Sequence, residues 1–361
     1  MTKRLLGALG LASAGIAGLA VPAVAADALC DKADIRLVNI VHELAQPYHG
    51  LVVGGGKAFA ESVGLSPDQY VVLVSDRDPD KEVSKLRSLA VSNPQCTVFN
   101  VEPAADQGVQ SLVEAANETG SWLVTHWAHG GQSHPFDPEN TQWIAHVAVP
   151  SLDAGVVVSE ELAKALNGEG GIVALQGNLA NDPAVKRFAG LKQVLDANPG
   201  ITLLDDQTAT WDRTKAFPIT QAWISKYGDQ IDAVWAANDA MAFGAIEALR
   251  AAGLDGKVLV TGLDGTPEAI AAVQNGEMLA TAASDGFYQG SIGLAMGYCV
   301  LTGQVPPPSE WSKEQREFNL RIVMMNKANA DEYAGEPNAA KYAAEDWACD
   351  KLWARNTGPA F

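Results

Sequence analysis

From residue 35 onward, short β-rich apolar runs alternate with helical patterns, in the order 35–41, 50–63, 70–75, 81–93, 97–101, 105–117 and 122–125. This alternation constrains the fold more than any other feature, because a strand reaches a parallel neighbour only through a crossover of about a dozen or more residues. Helical crossovers cover both faces of the sheet they connect, so a βαβ series predicts buried parallel strands. A Gly-, His- and Pro-rich stretch at 130–138 interrupts the series. A second one follows at 156–166, 171–175, 184–197, 201–207, 214–227, 233–236, 241–252, 258–263, 267–275 and 279–283. The 361 residues exceed one ordinary domain of roughly 100–200 residues. The chain therefore predicts an α/β protein with two doubly wound parallel-sheet lobes.

A small-residue helix is expected at 285–302, followed by Val305-Pro306-Pro307-Pro308, which resists helix. A strand at 321–325 can then join the second lobe, so the chain passes between lobes more than once. The expected boundaries are 33–128 plus 285–310 for the first lobe and 145–283 plus 320–327 for the second. Residues 328–361 are expected as a polar, helical C-terminal extension.

Lys3 and Arg4 precede a run of apolar and small residues at 5–21, and Ala23-Val24-Ala25 supplies the small residues a signal peptidase requires. Residues 1–25 read as a cleaved export signal, with the mature chain beginning at Ala26 or Asp27 in the periplasm. The alternative, a membrane anchor, is opposed by four glycines within 5–21 and by Pro22. Leu29 before Cys30 stands where lipid attachment needs a small residue, which excludes a lipoprotein. No later segment offers the ~18 uninterrupted apolar residues of a membrane span, so no stable membrane insertion is expected. The formal net charge is −18, and losing Lys3 and Arg4 with the leader takes it to −20. So acidic a chain is repelled by nucleic acid and by anionic membrane surfaces.

Export also places the four cysteines where disulfides persist, in one of three pairings. Cys30 and Cys96 each precede a strand. If those strands are parallel neighbours, their starts lie side by side, which favours Cys30–Cys96 and leaves Cys299–Cys349. Four buried thiols are the alternative.

Several chemical motifs fail on spacing. Gly54-Gly55-Gly56 lies inside a predicted helix rather than in the turn after a strand, so close helix packing explains it better than a dinucleotide. His126, His129 and His134 have no acidic or cysteine ligand at a recognisable spacing, so no metal site is expected. Glu43 beside His42, and Asp264 after a strand, lack any nucleophile or paired carboxylate that would make them catalytic. No cofactor is expected.

More specific are three strand-end signatures of the second series: Thr210-Trp211-Asp212-Arg213, Ala236-Ala237-Asn238-Asp239-Ala240-Met241-Ala242-Phe243-Gly244-Ala245 and Gly262-Leu263-Asp264-Gly265-Thr266-Pro267. With these, roughly residues 35–325 resemble the ribose-type periplasmic binding proteins, the sugar-binding receptors of ABC importers. The resemblance implies a type I periplasmic binding protein fold with a three-segment hinge. It also implies a monomer without catalytic activity that closes on a small sugar or polyol and delivers it to the importer's membrane subunits. A ligand-presenting sensory receptor and an exported sugar-acting α/β enzyme are the alternatives.

Carried onto this sequence, the family's polar-Pro-aromatic-aromatic segment is Gln46-Pro47-Tyr48-His49, which makes Tyr48 and His49 candidates for packing on the sugar. Asn100 matches the Asn ending the third strand, Trp211 an aromatic facing the sugar, and Asn238 and Asp264 its hydrogen-bonding side chains. Aromatic faces suit sugar C–H faces, and amides and carboxylates suit hydroxyls. For Asn238 and Asp264 the alternative is turn or helix capping. The family's Asp-Arg after the fourth strand is His126-Trp127 here, with core packing the alternative for Trp127. An inward-facing Arg becomes Val185, with Arg187 retained nearby. The Gln expected near the hinge becomes Ser284 followed by Asp285, and the insertion at 129–140 is longer than usual. Such changes favour a ligand with a more exposed C–H face than ribose.

Overall fold

In Arg36–Val41 every residue from Leu37 to Val41 is buried, the signature of a strand covered on both faces. It is the first strand (β1) of a computed structural model that describes residues 28–283, 285–335 and 346–361. The expected leader and Ser284 lie outside the described residues.

After β1 come α1 (Pro47–Ser62), β2 (Tyr70–Val74), α2 (Pro79–Ala90), β3 (Thr97–Val101), α3 (Val109–Thr119), β4 (Trp122–His126) and β5 (Trp143–Ala148). The second series is α4 (Ser151–Ala165), β6 (Glu169–Gln176), α5 (Asp182–Ala197), β7 (Gly200–Thr208), α6 (Arg213–Tyr227), β8 (Ala233–Ala236), α7 (Asp239–Ala251), β9 (Leu259–Asp264), α8 (Pro267–Asn275) and β10 (Ala280–Ala283). The chain then runs through α9 (Gly286–Leu301), α10 (Lys313–Arg316), β11 (Glu317–Leu320), β12 (Val323–Asn326) and β13 (Asn356–Pro359). The first sheet has the order β13-β11-β5-β4-β3-β1-β2 and the second β12-β10-β9-β8-β6-β7. Pairing is parallel except at β13 and β12, which lie antiparallel at one edge of each sheet.

Helix starts follow local chemistry. Pro47, Pro79 and Pro267 open their helices, where the missing N–H costs nothing. Asp78, Asp212, Asn238, Thr266 and Asp285 accept backbone N–H groups at the starts of α2, α6, α7, α8 and α9.

The chain crosses between sheets at β5–α4, β10–α9 and β11–β12, giving the three hinge segments expected. The lobe boundaries need correction. Trp143–Ala148 pairs with β4, so the second lobe expected from residue 145 begins inside a strand of the first sheet. Leu320, expected in the second lobe, ends β11, which pairs with β5 and β13 of the first sheet. Among its described residues, the extension returns to the first lobe and contributes β13. Both boundary misreadings have one cause: β5 and β11 are strands that no long crossover helix precedes, so alternation did not mark them.

Arg36 pairs with Thr97, setting the starts of β1 and β3 side by side, and Cys30 is bonded to Cys96 with Cα atoms 5.8 Å apart. Cys299, in the last turns of α9, is bonded to Cys349 and anchors the extension. The triple glycine lets α1 meet α9 and β1. A Cβ at Gly55 would stand 1.8 Å from the Phe287 carbonyl oxygen, and one at Gly56 2.2 Å from Asn39 Nδ2. Among the described residues no helix is long and apolar enough to cross a membrane.

Candidate functional site

The carboxyl ends of β1, β3 and β4 face those of β6, β8 and β9 across a narrow cavity, where open parallel sheets present their loops. The first lobe lines it with His42, Gln46, Tyr48, Glu102 and Trp127, and the second with Asn181, Arg187, Trp211, Asn238 and Asp264. The lobes also touch around its rim. Gln46 Nε2 donates to the Trp211 carbonyl at 3.3 Å, Asn181 Nδ2 to the Ala104 carbonyl at 2.9 Å, and the Asp182 N–H to Asp106 Oδ2 at 2.7 Å. A larger space of about 650 Å³ lies by the hinge beside Asp285 and Arg355. It is lined by the crossing segments and the extension, among them Asp285, Leu320, Arg321 and Arg355, rather than by the loops that follow β3 and β4.

Aromatic side chains are held there by backbone that bulky residues rarely adopt. Trp127 has φ +62°, Trp211 +67° and Thr210 +51°, and Asp264, ending β9, has +139°. Left-handed backbone at large residues persists only where surrounding structure enforces it, and it concentrates at functional sites. The Trp127 indole donates to the Tyr48 hydroxyl at 2.7 Å. The Trp211 indole donates to Asn181 Oδ1 at 3.2 Å and lies over Gly177, where a Cβ would stand 2.1 Å from the ring. Between the two indoles sits the Arg187 guanidinium, 4.7 Å from the Trp127 ring centre and 5.2 Å from that of Trp211. The first-lobe face of the cleft is thus built of Tyr48 and Trp127, and Trp211 faces it from the second.

The charges are few and buried. Arg187 Nη1 donates to the Ala237 carbonyl at 2.6 Å and lies 3.8 Å from Asp264 Oδ1. Burial pulls the Arg187 pKa down, opposed by the Asp264 charge. Burial likewise raises the Asp264 carboxyl well above the usual range, against the pull of Arg187. Asp264 makes no side-chain hydrogen bond to any described residue. Asn238 does two jobs: its Oδ1 accepts the Met241 N–H at 2.9 Å as the cap of α7, while its Nδ2 reaches the Trp211 carbonyl at 3.4 Å. The capping alternative therefore holds for Asn238 in addition to its place on the cleft.

The structure places the other sequence candidates away from the cleft. Asn100 points between β3 and α9, where its Nδ2 donates to Asn39 Oδ1 at 2.8 Å and to the Gln289 carbonyl at 3.1 Å. His126 donates to Asn100 Oδ1 through Nε2 and is pulled down to about 4 by burial, so this imidazole is neutral framework. Both lie within their strands on the face that α9 covers, rather than in the loops beyond the strand ends. His49 stands behind the cleft wall, its Nε2 3.3 Å from Glu102 Oε2. Asp285 caps α9 and pairs with Arg355 Nη1 at 2.5 Å, away from the cleft. Val185 is half exposed, so Arg187 is the inward guanidinium of α5.

Sequence reasoning passed over Glu102. It follows β3 directly and is half-buried beside His42 and His49. Burial alone would raise its carboxyl, but the two histidines outweigh that and hold it down at about 2. His42 is itself brought to about 4 by burial, with its Nε2 donating to the Glu102 carbonyl at 2.9 Å. The available signal was a lone acid placed immediately after an apolar strand.

Residues 39–304 match the family model described as a periplasmic binding protein domain. The ribose import binding protein of Haemophilus influenzae is 30% identical over 81% of this chain and 93% of its own length. The D-allose-binding periplasmic protein of Escherichia coli is 35% identical over 71% of this chain and 81% of its own length. A crystal structure from Burkholderia phytofirmans, described as a twin-arginine translocation pathway signal protein, superposes with a TM-score of 0.83 at 36% identity, covering 91% of this chain and 99% of that one. A match over most of the chain, joined to two doubly wound sheets that close on an aromatic cleft, shows that this protein belongs to the periplasmic binding protein family, whose members bind solutes and are not enzymes.

Proposed function

We propose that the mature chain, freed of residues 1–25, works in the periplasm as a monomer that closes on one small sugar or polyol and hands it to the membrane subunits of an ABC importer. The observation that carries this reading is the meeting, in one cavity, of Tyr48 and Trp127 from the first lobe with Trp211, Asn238 and Asp264 from the second. Indole and phenol faces take the C–H face of a ring, while Asp264, Glu102 and Arg187 offer charged partners to hydroxyls. A ligand held from both sides stabilises the closed arrangement, because only then are its contacts with both lobes made together. The importer then distinguishes loaded from empty protein by the relative placement of the lobe surfaces.

The named relatives support this ligand class: a ribose import binding protein and a D-allose-binding protein are among them. The loss of an Asp-Arg pair at His126-Trp127 does not by itself turn the cleft away from ribose, because Arg187 and Glu102 keep charge at the site. Thermal-shift screening of pentoses, hexoses and polyols, followed by calorimetric titration, tests the proposal. One unmodified ligand at one equivalent is expected. No binding across the panel, or binding that survives loss of both Trp211 and Asp264, overturns it.

A further inference from the structure

On the opposite side of Trp127 from the cleft, the insertion at 129–140 folds against the start of β11. His129 Nε2 lies 3.1 Å from Glu317 Oε1, and His134 Nδ1 lies 2.8 Å from Glu317 Oε2. The Glu317 side chain is only 1% exposed, and those of His129 and His134 are 16% and 29% exposed. Although His129 Nε2 and Glu317 Oε1 face each other, neither makes a hydrogen bond with any described residue. A buried carboxylate so incompletely satisfied is costly unless a cation completes it.

We propose that His129, His134 and Glu317 form a site for one divalent transition-metal ion, separate from the ligand cleft. Two imidazoles and one carboxylate are a ligand set for zinc and similar ions, with remaining positions left to water. Zinc bonds of about 2.0–2.2 Å at tetrahedral angles separate ligand atoms by about 3.3–3.5 Å. The three candidate donors already lie within 4.8 Å of one another, so small side-chain rotations suffice. An ion can arrive from solvent, because His129 lines an open groove of about 660 Å³. One local contact must change. The Gly131 N–H donates to His129 Nδ1 at 3.2 Å, and metal at Nε2 would place the ring proton on Nδ1. The Gly130-Gly131 turn must therefore shift when the ion binds. Its effect would be to tie the insertion to β11, the strand laid down just before the third crossing.

Nothing in local sequence announces this set, because Glu317 stands 183 residues from His134. The test is calorimetric titration of the chelator-treated mature protein with zinc chloride, with cobalt absorption as a coordination probe. One equivalent should bind the unaltered protein, raise its melting temperature with zinc concentration and shift the Gly131 amide resonance. Glu317→Gln should weaken binding at least 100-fold, and His134→Ala, which removes a ligand on the more exposed side of the site together with the hydrogen bond to Glu317 Oε2, should do so as well. Failure of the unaltered protein to bind zinc overturns the proposal. So does an equivalent that survives both substitutions, since it would then reside elsewhere, for example at His42, His49 and Glu102.

Discussion

Asp264→Asn separates a binding role from a structural one. The carboxylate ends β9 with φ +139°, and Asn nearly matches Asp in shape and volume, so the variant disturbs the chain little. In the unaltered protein its only charged partner nearby is Arg187, at 3.8 Å, and it makes no side-chain hydrogen bond to a described residue. Its lone pairs are therefore available to ligand hydroxyls. A hydrogen bond to a charged group contributes about 1.5–3 kcal/mol, and Asn loses the charge together with one acceptor. The affinity should fall roughly ten- to 150-fold. The unliganded variant should melt within about 3 °C of the parent, because a buried charge that desolvation already disfavours is removed and Arg187 keeps its bond to the Ala237 carbonyl. Because burial raises the Asp264 pKa, a ligand that requires the ionised form drives proton release on binding at pH values below that pKa. Titration in buffers of different ionisation enthalpy should show this release in the parent and lose it in the variant. Unchanged affinity together with a clearly lowered melting temperature would refute the reasoning and make Asp264 a structural residue.

Three further outcomes are expected. Gly177→Ala should weaken ligand binding about tenfold without touching the ligand, since its Cβ would push the Trp211 ring from 2.1 Å away; calorimetry showing full affinity would mean that Trp211 need not hold its place. Replacing Cys299 and Cys349 together by Ser opens a loop of 50 residues and should lower stability by about 4 kcal/mol in urea unfolding, whereas an unchanged midpoint would show that the extension docks without its tether. Burial raises the Glu82 carboxyl to about 8, so the folded state holds this proton more tightly than the unfolded chain. The stability it contributes is full below about pH 4 and falls as pH rises towards 8, and Glu82→Gln should flatten that part of the stability profile.

The sequence by itself determined the two βαβ series, and it favoured the Cys30–Cys96 and Cys299–Cys349 pairs that the structure contains. These depend on local periodicity, on steric rules of the backbone and on the parallel neighbours that periodicity implies. It also brought out Tyr48, Trp127, Arg187, Trp211, Asn238 and Asp264, which stand at strand ends or on the helices that follow, where any open parallel sheet gathers its ligand groups. Tertiary structure alone decided the rest. Only the folded sheet shows that Asn100 and His126, within β3 and β4, turn towards α9, whereas Glu102 and Trp127, just past the ends of those strands, reach the cleft. The left-handed backbone that aims Trp127 and Trp211 is imposed by packing that no neighbouring residue specifies. Glu317 reaches His129 and His134, and β13 reaches β11, through chain reversals longer than any sequence period. Contacts of that kind exist only after the lobes have folded, because loop closure and burial across the whole chain, not local preference, fix which distant residues meet.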